Sequence, residues 1–219
     1  MKTVKQKVEL LEPIDRNRTL KILEKIGRVA YKSEDKITDQ SAASFIAMIV
    51  KRGHFSVLEH ISVTVHVICD RGVSHEWVRH RLAAYTQEST RYCNYSKDKH
   101  DNQITFIEPS FMWEPQPGED PKDTLIVHKK SLWEDTVSVI ETAYLNLIEL
   151  GATPQEARSI LPNSLKTEFF VTMNLRAWHH FFELRAAPAA HPQMRELAIP
   201  LQKVFQRALP EIFGEVGYE

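Results

Sequence analysis

The sequence predicts an α+β fold in which a mixed or antiparallel sheet packs with long helices. Three observations carry the prediction: apolar residues recur at helical spacing over long stretches, only a few segments alternate like strands, and neither βαβ regularity nor a GxGxxG occurs. A chain of 219 residues with 42% hydrophobic and 26% charged residues can bury a sizeable core. No repeat, low-complexity tract or Gly/Ser linker interrupts it, so residues 1–219 are expected to form a single domain.

From the N-terminus, KTVKQKVELLE at 2–12 reads as a strand, and residues 16–32 and 38–52 read as helices. HISVTVHVIC at 60–69 alternates like a strand half buried in a sheet, and a helix from about Gly72 to His80 should follow it. EPSFMWEPQPGEDPKD at 108–123 is a loop. Beyond it, Trp133, Val137, Ile140, Tyr144 and Ile148 recur at three- and four-residue steps, the periodicity of one long amphipathic helix ended by Gly151. Thr153-Pro154-Gln155-Glu156 opens another helix, with Thr as N-cap, Pro in the first turn and Glu three positions on. LKTEFFVTMNL at 165–175 reads as a strand leading into the helix RAWHHFFELR at 176–185, and a last helix runs from about His191 to Phe213.

The formal net charge is −1, which gives no support to non-specific nucleic-acid binding. MKTVKQKVELLEP carries lysines and glutamates where a signal peptide would be apolar, and no run reaches the roughly 18 apolar residues of a membrane span, so a cytoplasmic protein without a membrane partner is expected. Cys69 and Cys93 are the only cysteines and stand outside CxxC spacing, so neither a disulfide framework nor a thiolate zinc site is expected. The histidines of HEWVRH are five apart, about 140° round a helix, whereas HExxH puts them on one face. No metal site is assigned, and His60 and His66 are read as the polar face of a strand.

The cations are local. In RHRLAAYTQESTRYCNYSK at 79–97, Arg79, His80, Arg81 and Arg91 face a single acid, Glu88, so the segment needs an anion. Helical offsets place Glu76, Arg79 and His80 on one face, and Ser89, Thr90 and Arg91 combine hydroxyls with a planar guanidinium fork suited to phosphate. Arg176, His179, His180 and Glu183 share a face of the later helix, while Arg185, nine residues after Arg176, lies about 180° away and should address a different ligand, another part of the same one, or another subunit. Arg158 adds a third site. A surface patch of arginines paired with glutamates would explain the same residues without a ligand.

These segments resemble the flavin-dependent thymidylate synthases. The signature is Arg79-His80-Arg81 followed by seven residues and Ser89; GHFSVLEH at 53–60, HEWVRHR at 75–81, QESTRY at 87–92, RSILP at 158–162, MNLRAWHHFFELR at 173–185 and AHPQMRE at 190–196 look like the family in the same order. The resemblance implies an α+β enzyme that methylates dUMP to dTMP with 5,10-methylenetetrahydrofolate as carbon donor and NADPH as reductant for bound FAD, in a homotetramer with shared active sites. It implies a flavin set of Ser56, Glu59, Arg79, His80, Arg81, Gln87, Asn174, Arg176 and His180. It implies a dUMP set of Glu76, Arg79, Gln87, Glu88, Ser89, Thr90, Arg91, Arg158 and Arg185, with His54 near the flavin. Arg185 would stabilise charge on the uracil; Ser89 is better read as a phosphate ligand than a nucleophile, since no evident base adjoins it. Ala84 and Ala30 depart from the family, where serine, or cysteine or serine, is usual. Two other readings stay open: another FAD- and nucleotide-binding enzyme, coloured but making no dTMP, and an RNA-binding module, uncoloured and salt-sensitive.

Overall fold

The computed structural model describes residues 1–97, 101–115, 120 and 122–214. Its strands are β1 (Lys2–Val4), β2 (Lys7–Leu10), β3 (Ser62–Asp70), β4 (Ala83–Gln87), β5 (Thr105–Ile107) and β6 (Lys166–Asn174). Its helices are α1 (Arg16–Tyr31), α2 (Ser41–Lys51), α3 (Arg71–Trp77), α4 (Thr124–Glu149), α5 (Pro154–Ala157), α6 (Leu175–Arg185), α7 (Pro192–Ala208) and α8 (Pro210–Phe213). The α+β expectation is met. The chain divides into two compact units: unit 1 is Met1–Lys7, Ile68–Val78 and Thr86–Phe169, and unit 2 is Val8–Val67, Arg79–Tyr85 and Phe170–Glu219.

One sheet pairs β1 with β5 in parallel, Lys2 opposite Thr105 and Val4 opposite Ile107; the other has the order β2-β3-β6-β4. The expected strand at 2–12 is therefore two strands in different sheets. In unit 2, β3 and β6 run antiparallel: Leu175 N–H bonds to Ile61 O at 3.0 Å, the hydroxyls of Thr64 and Thr172 meet at 2.8 Å, and His66 stacks on Phe170 at 4.6 Å. In unit 1, Arg71 N–H reaches Leu165 O at 3.1 Å.

The core of unit 2 packs Leu20 and Leu23 of α1 with Phe45, Ile46 and Ile49 of α2, and Trp178, Phe181 and Phe182 of α6 with Phe205 of α7 and Phe213 of α8, all buried. Gly27 is needed where α1 crosses α2, since a Cβ there would lie 2.7 Å from Phe45 Cε1. Buried Glu24 is matched by Arg28 at 2.8 Å, whose guanidinium sits 4.2 Å over the Phe45 ring. Unit 1 centres on Tyr95, Ile104, Phe106, Val137, Tyr144, Ala157 and Leu165, with Trp133 and Ile148 against them, so the apolar stripe predicted for α4 is the one that packs. Gly151, at φ 95°, follows the α4 C-cap, and Thr153 and Glu156 form the expected capping box, though α5 has only 4 residues.

Other boundaries differ. The helix expected over 72–80 stops at Trp77, whose indole is fully buried 5.7 Å from the Phe169 ring. Glu76, Arg79 and His80 therefore do not share a helical face. His60 lies in a 3-10 turn, Phe55–His60, outside β3, and β4 and β5 were not foreseen. The last helix breaks at Leu209, where Pro210 starts α8. In the loop read at 108–123, Ser110–Met112 makes a 3-10 turn, while residues 116–119 and 121 lie outside the described residues. No described helix is long and apolar enough to cross a membrane.

Candidate functional site

Unit 2 holds a cavity of about 720 Å³. Glu59 from the 3-10 turn, Arg79, His80, Arg81 and Leu82 from the segment after α3, Asn174 at the end of β6, and Arg176, His180, Leu184 and Arg185 of α6 line it. Asn174 is fixed by its position as N-cap: its Oδ1 accepts the Ala177 N–H at 2.8 Å, which starts α6 where β6 stops. Arg176 and Arg185 both line this cavity. The half-turn between them, expected to give Arg185 a different ligand, another part of the same one or another subunit, lies within one cavity, whose lining spans that whole arc through Ala177, His180 and Leu184.

The centre of the charge arrangement is a neutral imidazole. Arg185 Nε donates to His80 Nε2 at 2.9 Å, so His80 carries its own proton on Nδ1. Burial, and then the charges of Arg185 and His180, push the His80 pKa down from 6.5 to about 4. The Tyr85 hydroxyl donates to the His80 carbonyl at 3.1 Å and anchors the backbone. Arg176 Nη1 meets Glu59 Oε1 at 2.5 Å, but both side chains are about half exposed, so this pair contributes little to stability and is open to exchange. Neither Arg79 nor Arg81 is ion-paired among the described residues, so the alternative of a glutamate-paired surface patch fails for these two. Leu82 takes a left-handed backbone, φ 39°, with its side chain 88% exposed at the cavity.

Unit 1 has a second cavity, about 470 Å³, lined by Arg71, His75, Thr90, Gln155, Arg158 and Asn163 among others. Arg158 Nη1 donates to Thr90 Oγ1 at 3.4 Å, and Arg91 Nε donates to Gln155 Oε1 at 2.9 Å. Ser89 and Arg91 do not line this cavity; the Ser89 carbonyl accepts from the N–H groups of Tyr92 at 3.1 Å and Cys93 at 3.0 Å, and its Oγ from Arg91 N–H at 3.3 Å.

Other expected residues line neither cavity. Gln87 Nε2 donates to Ser74 Oγ and Thr167 Oγ1, each at 3.1 Å, and Glu88 pairs with Lys166 at 3.1 Å. Glu76 lies half-buried on α3, and Ser56 is exposed in the 3-10 turn. His54, at the start of that turn, bonds through Nδ1 to the Tyr31 hydroxyl. His179, grouped with the site by helical offset, packs instead on Phe55 at 4.9 Å and Phe213 at 6.2 Å. Cys69 is fully buried, its Sγ donating to Asp70 O at 3.2 Å, and burial together with Asp70 raises its pKa, so it is no thiolate. Sequence reasoning missed the apolar lining by Leu82, Met173 and Leu184, and missed Arg71, His75 and Asn163. Leu184 lies eight residues past Arg176, so a helical wheel drawn from Arg176 could have found it.

Two arginine-bearing cavities, one built round an imidazole kept neutral, define an α+β protein with two cationic clefts. Residues 13–211 match the family profile of the thymidylate synthase complementing protein, and the chain belongs to that family. Similar proteins carry the name flavin-dependent thymidylate synthase. One from Geobacter sulfurreducens is 31% identical over 84% of this chain and 73% of its own length. One from Mycolicibacterium vanbaalenii is 34% identical over 89% of this chain and 78% of its own. One from Thermococcus kodakarensis is 36% identical over 74% of this chain and 62% of its own. The resemblance read from the motifs is borne out.

Proposed function

We propose that the protein makes dTMP from dUMP by reductive methylation, with 5,10-methylenetetrahydrofolate as carbon donor and FAD with NADPH as the hydride source. The observation that carries this reading is the unit 2 cavity, which gathers Glu59, Arg79, His80, Arg81, Asn174, Arg176 and His180 of the flavin set around one space. Its chemistry fits a flavin dinucleotide: Arg79, Arg81 and Arg176 supply cationic donors for a pyrophosphate, while Leu82, Met173 and Leu184 supply apolar surface for rings. When bound, the flavin supplies the hydride chemistry.

The chain's own groups hold and polarise. His80, neutral, accepts from Arg185 and so fixes that guanidinium without adding a competing charge. Arg185 then favours the N3 anion of the uracil, or the enolate that develops as C5 attacks the methylene carbon; one such donor is worth roughly 3–4 kcal/mol. Thr90, Arg91 and Arg158, with Ser89, are the phosphate ligands of dUMP, and Glu76, Gln87 and Glu88 complete the nucleotide set. His54 stands near the flavin with Ser56. Self-association, as a homotetramer with shared active sites, and a cytoplasmic location belong to the same reading.

The test is direct. Purified protein should be yellow, with a band at about 450 nm, should oxidise NADPH, and should release tritium from C5-labelled dUMP as dTMP forms. Arg176→Ala should lose flavin, whereas Arg91→Ala should keep it and need more dUMP. A colourless protein, or a coloured one that makes no dTMP, overturns the proposal.

A further inference from the structure

The unit 1 cavity contains a cation that the family motifs leave unassigned. We propose that Arg71 is a second guanidinium for the phosphate of the nucleotide substrate, acting alongside Arg158. The inference rests on the assignment of Thr90, Arg91 and Arg158 to dUMP made above.

None of the residues lining this cavity is acidic, although two of them are arginines. The Arg71 guanidinium makes no ion pair among the described residues, and the nearest polar engagement of Arg158 is a long 3.4 Å contact with Thr90. Two cations in one small polar cavity repel each other, and a phosphomonoester, at about −1.5 to −2, reverses that balance.

The backbone of Arg71 is held on both sides. Its N–H forks to Asn163 O at 2.8 Å and Leu165 O at 3.1 Å, and its carbonyl accepts the Ser74 hydroxyl at 2.9 Å. The root of the side chain is therefore fixed on the cavity wall. Arg71 is also the first residue of α3, where a cation opposes the helix dipole. Asp70 already caps this helix, its Oδ1 accepting Val73 N–H at 2.6 Å, so helix stability does not explain an arginine at 71. The planar fork gives phosphate two parallel bonds, which a solvated cation at this position would not need.

Calorimetric titration of flavin-loaded enzyme with dUMP, and with deoxyuridine as the probe lacking phosphate, tests the proposal in Arg71→Gln, Arg71→Met and Arg158→Gln. Loss of one charge-assisted contact should raise the dUMP Kd about 10- to 100-fold in each, leave deoxyuridine binding unchanged, and leave flavin content and Tm as in wild type. If Arg158→Gln weakens dUMP binding but the folded Arg71 variants do not, Arg71 is excluded and the phosphate cavity stands. If none weakens it, the phosphate lies elsewhere and the assignment of Arg158 falls too. If deoxyuridine binding falls in step with dUMP, Arg71 acts on the fold and the proposal is wrong. Formation of dTMP by the wild type, measured separately, decides the activity itself.

Discussion

Acidification from about pH 7 to about 4.5 should destabilise the fold through one ring, His80. Protonating Nε2 would break the 2.9 Å bond from Arg185 and set an imidazolium against a guanidinium. Burial first, and then Arg185 and His180, hold the folded pKa at about 4 against the ordinary 6.5. Between those values the unfolded chain binds a proton that the folded chain refuses. The stability that neutral His80 carries is thus complete above pH 6.5, falls as pH drops through the window, and is gone below about pH 4. Linkage over that window gives a ceiling of about 2.6 kcal/mol at pH 4.5. His80 is only half-buried, and solvent screening brings the expected loss to about 1–1.5 kcal/mol. The assay is urea unfolding at the two pH values, at fixed protein and FAD concentrations, for wild type and His80→Gln. Other groups titrate in both proteins, so the difference between the two pH-induced losses isolates the ring. Equal losses would refute the reasoning, and so would a larger loss in the variant.

Arg185→Ala should slow single-turnover oxidation of pre-reduced enzyme by dUMP and methylenetetrahydrofolate far more than it weakens FAD binding, and Arg185→Lys should recover little, because an ammonium lacks the two-point plane. A wild-type single-turnover rate in the alanine variant would remove Arg185 from the mechanism. Cys69→Ala and Cys93→Ala should each keep measurable tritium release, since the Cys69 thiol is buried with a raised pKa and no activated cysteine is needed. Complete loss of turnover in a folded, flavin-bound variant would require a covalent cysteine mechanism instead.

What was legible in the sequence was what is local. The passage from strand to helix at Asn174 shows as a change of period from two to about 3.6, and β6 and α6 fall where that change predicts. The split between β1 and β2 left no mark, because Val4 and Val8 continue one alternation through Lys5 and Gln6; pairing with β5 decides it. β4 was missed because Ala83–Gln87 is short and carries only two strand formers, Tyr85 and Thr86, side by side, so no alternation shows. α3 was overextended because Val78 to Arg81 contains no breaker; the stop comes from burying Trp77 and from the backbone at Leu82. The site followed the same division. The family resemblance named the polar residues of the unit 2 cavity and not its apolar ones, and a helical wheel gives directions only, so it could not say that one cavity spans the arc from Arg176 to Arg185.

Leu82 gives that cavity a preformed rim. A left-handed leucine costs on the order of 1 kcal/mol, and glycine would relieve it. Glycine would also let the adjoining Arg79-His80-Arg81 segment sample many more conformations before a ligand arrives, and ordering it would then be charged to binding. With leucine, the entropy is lost during folding, and the cationic rim is already shaped when an anion approaches. The exposed isobutyl group adds a second asymmetry, since a ring laid over it removes apolar surface from water that the empty protein leaves wet. Tighter binding without an added polar contact is the property such a residue confers.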